Sequence, residues 1–69
     1  MNYTLECELE DDGRWLAEVL ALPGVLAYGS TQNEAMARAE ALALRVIAEQ
    51  LEQGEARALT FSIVLPAAA

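Results

Sequence analysis

The chain has 69 residues, 55% of them hydrophobic, with eleven acidic side chains against four arginines and a net charge of −7. That length allows one domain, 1–69, and a core covering only about 60% of the surface its unfolded form exposes. The charge repels a phosphate backbone and excludes direct nucleic-acid binding, and no apolar run approaches the roughly 20 residues of a membrane span.

From the N-terminus, Tyr3, Leu5, Cys7 and Leu9 alternate with Thr4, Glu6, Glu8 and Glu10. This period of two predicts a strand over 2–10, apolar on one face and acidic on the other. Asp11-Asp12-Gly13 reads as a hairpin turn. The return strand, 14–20, points Trp15, Ala17 and Val19 inward and Leu16, Glu18 and Leu20 outward. Leu22-Pro23-Gly24 ends it, since proline lacks the ladder donor and a glycine after proline suits a type II turn. A short third strand follows over 25–29.

Thr31 and Glu34 form the T-x-x-E signature of a capping box. The helix it opens is predicted over 32–53. Ala35, Ala39, Leu42, Val46 and Leu51 lie on one stripe, widened by Met36, Ala43 and Ile47, and Glu40, Arg45, Glu49 and Glu52 mark the wet face. Gly54 is the expected terminator. Leu59, Phe61, Ile63 and Leu65 then alternate with Thr60, Ser62 and Val64, predicting a fourth strand over 57–65 that Pro66 ends.

The expected fold is α+β, ordered β-β-β-α-β: a four-stranded mixed sheet of strand order 3-2-1-4 in two layers, with one long helix on one face. The crossover to the last strand is right-handed by rule. The other sheet face has no cover. Leu16, Leu20 and Val64 on it are the candidate self-association contacts, with the edge of the third strand as the alternative, because a domain this small, with neither a disulfide framework nor a metal cluster, is most often supported by oligomerisation. A homodimer or tetramer is expected.

No catalytic, cofactor-binding or metal site is expected. Cys7 has no histidine to activate it and reads as a small buried hydrophobe. Glu6, Glu8, Glu10, Asp11 and Asp12 could hold Mg²⁺ as a nuclease remnant would. Such a site needs convergent groups from other elements, and the last strand offers only Thr60 and Ser62. The alternative use of Glu6, Glu8, Glu10, Asp11, Asp12 and Glu18 is to meet a basic protein partner. The N-terminus lacks a basic-then-apolar signal, and with a single cysteine the protein is expected to be cytoplasmic.

These residues carry a resemblance. An acidic turn ending in Gly13, Trp15 at the start of strand two, Ala17-Glu18-Val19, Leu22-Pro23-Gly24, Gly29 with Thr31, and Glu34-Ala35 opening the helix are similar, as an ordered set, to the HicB-like antitoxins. The resemblance covers about Tyr3 to Gly54. It implies a reduced RNase H-like fold and a non-catalytic role: neutralising a small basic HicA-type RNA-cleaving toxin by covering it. The chain reads as a stand-alone form of that domain, without the DNA-binding domain that usually follows in the family. The alternative is an orphan self-associating structural or regulatory domain with no toxin partner.

Overall fold

A computed structural model describes residues 2–54 and 62–64. Strand β1 spans Asn2–Leu9, β2 Trp15–Val19 and β3 Leu26–Gly29; helix α1 covers Gln32–Glu52; β4 is Ser62–Val64. The polypeptide meanders through the first three strands because each reversal is locally encoded. At the first turn Gly13 N–H donates to the Glu10 carbonyl and Glu10 N–H to that of Arg14. At the second, Val25 N–H donates to the Leu22 carbonyl across Pro23-Gly24, with Gly24 at φ +84°, as a type II turn requires. Leu22 and Val25 are both buried by this turn. Val25 thus belongs to the turn and core rather than to β3.

The pairing is antiparallel from β1 to β2, Leu5 opposite Val19 through Leu9 opposite Trp15, and from β2 to β3, Trp15 opposite Gly29 through Glu18 opposite Leu26. The predicted four-stranded mixed sheet is corrected here. The unit that the helix covers is a three-stranded antiparallel sheet, β1-β2-β3, with one helix: an α+β fold. The helix lies chiefly over β3 and β2 and less over β1. The described part of β4 is only three residues long. It is attached as a short parallel ladder on the outer side of β1, with Asn2 beside Ser62 and Thr4 beside Val64, so hydrogen-bonded neighbours run β3-β2-β1-β4. The rest of the strand predicted over 57–65 lies outside the described residues.

One apolar layer holds the two parts together. Tyr3, Leu5, Ala17 and Val19 face the helix, and Ala35, Met36, Ala39, Ala43 and Ile47 face the sheet, with Trp15, Leu42 and Val46 packed at the margins. Three alanines in the middle of the helix face bring its axis close to the strands. The predicted stripe is corrected at Leu51, which is 38% exposed: the row Ala39, Ala43, Ile47, Leu51 drifts about 40° round the helix at each step and leaves the buried side there.

The helix begins where the capping box predicts. Thr31 is extended, and its Oγ1 accepts the Glu34 N–H at 3.1 Å. The Glu34 carboxylate returns to the Ser30 N–H, one residue before the cap itself. Gly54, at φ +72°, is the left-handed terminator, donating to the Leu51 carbonyl. Thr31→Ala removes the cap acceptor and is expected to cost about 1 kcal/mol. Urea denaturation followed by circular dichroism reads the loss, and an unchanged midpoint would remove the cap's role.

Candidate protein-binding face

The alternation in β1 and β2 places Thr4, Glu6 and Glu8 beside Leu16 and Glu18 on the sheet face turned away from the helix. The register then fixes neighbours. Glu6 stands directly opposite Glu18, and Glu8 opposite Leu16. On the other side Leu26 is opposite Glu18, and Tyr28 opposite Leu16. Leu16 is therefore central and half-buried, ringed by two carboxylates and an aromatic ring. An open concavity of about 340 Å³ lies here, lined by Leu5, Glu6, Cys7, Glu8, Leu16 and Glu18.

Of the acidic residues singled out in the sequence, Glu6, Glu8 and Glu18 converge on this face. Glu10, Asp11 and Asp12 sit apart at the hairpin tip. Asp12 is engaged locally: its Oδ1 accepts the Arg14 N–H at 3.0 Å and its Oδ2 the Arg14 Nε at 2.8 Å. The Arg14 N–H, followed by its guanidinium, holds the Asp12 carboxyl below its ordinary range. Arg14 also lies over the Tyr28 ring, 4.2 Å from its centre, which closes one end of the face.

The apolar contacts proposed from sequence are spread out. Leu16 is at the centre, Leu20 follows the end of β2 and is 62% exposed, and Val64 stands beside Thr4. Leu26 and Tyr28, both exposed, enlarge the same face and escaped the sequence reading. Their signal was present: Leu26 and Tyr28 alternate with the inward Ala27 and Gly29, a period of two over four residues.

Direct cross-strand neighbours have Cβ atoms about 5 Å apart, so Glu6 and Glu18 repel one another, with no cation supplied between them by the hydrogen bonds and ion pairs of the described residues. Among the described residues no three His, Cys, Asp or Glu side chains come close enough together to hold a metal ion. Burial pushes the Cys7 thiol above its ordinary value, so it is a neutral S–H at neutral pH and a poor nucleophile. The sign of this linkage is that the raised value contributes stability below the unfolded thiol's pKa, lost as pH rises through the folded one. No helix among the described residues is long and apolar enough to cross a membrane.

The outer edge of β3 is partly occupied. Val19 N–H donates to the Val25 carbonyl, so alternation turns the peptide groups of Leu26 and Tyr28 away from β2. Arg38 Nη1 donates to the Tyr28 carbonyl at 2.9 Å from the helix above. A charged side chain from the helix over a short edge strand disfavours further pairing at that carbonyl.

Comparison with protein-family models, with curated proteins and with solved structures gives no match to the chain.

Proposed function

We propose that this chain is a non-catalytic protein-binding module of the HicB-like antitoxin type. Its uncovered sheet face docks a small basic protein of the HicA type and covers that protein's RNA-cleaving surface. The observation that carries this reading is the Glu6–Glu18 pair: two like charges directly opposed on an exposed face, beside Leu16, Leu26 and Tyr28. Like charges so placed destabilise the isolated chain by a few tenths of a kcal/mol or more, and a cation from a partner relieves them. The apolar neighbours supply the desolvated contact area that a stable complex needs. Face-to-face stacking of two copies on this surface is disfavoured by the same arithmetic, since it doubles the opposed carboxylates. The ordered residues from Gly13 to Ala35 that resemble the HicB-like domain direct the choice of partner.

The test is binding of the purified chain to a HicA-type toxin, with toxin rescue on co-expression. Glu6→Lys combined with Glu18→Lys is expected to weaken binding on the order of a hundredfold and to abolish rescue. Wild-type binding is expected to fall with added salt. Absence of binding by the wild type, or equal binding by the double variant, would overturn the reading.

A further inference from the structure

We infer that the Asp12-Gly13 step at the tip of the β1–β2 hairpin is a latent isoaspartate site, which the folded turn holds closed and Arg14 guards. Asp12 is the only aspartate or asparagine in the chain followed by glycine. Such a step is chemically weak, because the glycine nitrogen has no side chain beside it to screen it from the preceding carboxyl group. Residues 11–14 are all exposed, so water reaches the turn. The reaction balances within it. The Gly13 nitrogen attacks Cγ of the protonated Asp12 carboxyl, the N–Cγ bond forms, and the carboxyl hydroxyl leaves as water with the Gly13 amide proton. Water then opens the five-membered imide. Cleavage at Cγ restores aspartate, whereas cleavage at the main-chain carbonyl leaves the chain running through Cγ, one methylene longer. No oxidant or cofactor is consumed, and the mass is unchanged.

Three contacts of the folded turn oppose the first step. The Gly13 N–H, whose proton must leave, donates to the Glu10 carbonyl at 3.0 Å. Asp12 Oδ1 accepts the Arg14 N–H at 3.0 Å, an Asx turn that carries the carboxylate past Gly13. Asp12 Oδ2 accepts Arg14 Nε at 2.8 Å. With both oxygens accepting, the carboxylate form is favoured, and a carboxylate has no hydroxyl to lose. Asp11 is the internal control, since Asp12 and not glycine follows it. The isomer puts an extra main-chain atom into a turn closed by Gly13 N–H on Glu10 and Glu10 N–H on Arg14, contacts that adjoin the Leu9–Trp15 pair. Each conversion therefore loosens the hairpin. The inference concerns the turn alone, so it stands whether or not the proposed function does.

The test is the rate of isoaspartate formation in the full chain, incubated for weeks in mildly acidic buffer. Isoaspartyl methyltransferase labelling counts the product, and peptide fragmentation places it. Wild type in denaturing urea is expected to isomerise Asp12 on the order of tenfold faster than folded wild type, since the folded turn must first open. This comparison needs no variant to fold. Folded Arg14→Ala, its helix checked by far-UV circular dichroism, is expected to react roughly threefold faster than folded wild type, the scale of one exposed ion pair. In urea, Arg14→Ala is expected to match the unfolded wild type, and Gly13→Ala to react more slowly. Absence of product in urea, equal rates in folded and unfolded wild type, a folded Arg14→Ala no faster than wild type, or product at Asp11 in place of Asp12 would each overturn the inference.

Discussion

Gly29→Ala is expected to destabilise the domain by about 3 kcal/mol, although a single methyl group is all it adds. A Cβ at this position would lie 2.5 Å from the Ala35 backbone nitrogen and 3.0 Å from both Ala35 Cα and the Glu34 carbonyl carbon. All three are main-chain atoms of the first helical turn, so no side chain can swing aside. The helix cannot retreat easily either. Its start is pinned two residues after Gly29 by the Thr31 cap, and Arg38 ties its second turn to β3. A domain of this size holds only about 3–10 kcal/mol in total, so the variant loses about a third of it or more. Urea unfolding measures this directly, and a midpoint like that of wild type would show that helix and strand are not in contact there.

Leu5→Ala is expected to cost a similar amount, roughly 3–4 kcal/mol, by a different route. Leu5 is 1% exposed, lies opposite Val19 across the β1–β2 ladder, and is one of the two largest fully buried side chains. Truncation leaves a cavity that the surrounding alanines cannot fill. For a domain this short, about 1 kcal/mol shifts the melting temperature by 4–8 °C, so a fall of roughly 15 °C or more is expected. Leu26→Ala, on the outer face, serves as the control and is expected to leave the melting temperature nearly unchanged. Equal effects at the two positions would contradict the assignment of sheet faces.

What could be read from the sequence divides along physical lines. Features encoded within a few residues were readable: the Thr31–Glu34 box, the Pro23-Gly24 turn, the alternation that sets Leu5 inward and Glu6 outward. Each depends on local geometry alone. Features that depend on distant packing were not. Gly29 reads as a strand end, whereas its reason is the approach of Ala35 in the next element. Leu22 reads as punctuation but is a core residue folded under its own turn. Leu51 follows Ile47 by four residues, yet each such step turns the row about 40° further round the helix, and at Leu51 it has left the sheet-facing side. On the sheet face, parity gave Glu6, Glu8, Leu16 and Glu18. Their convergence with Leu26 and Tyr28 needed the strand register.

The three-residue β4 ladder has a kinetic consequence. Asn2 and Ser62 are neighbours in space but nearly a full chain apart in sequence. Joining them from the unfolded state means closing that whole loop, on the order of 4 kcal/mol of entropy, against a return of at most about 1 kcal/mol for each ladder bond. β4 therefore cannot nucleate folding. The meander and the helix assemble first, from contacts close in sequence, and the helix carries the chain back across the sheet. Only then is the remaining gap short enough for β4 to dock. By the same reasoning the described β4 ladder is among the first contacts to open, which exposes the flank of β1.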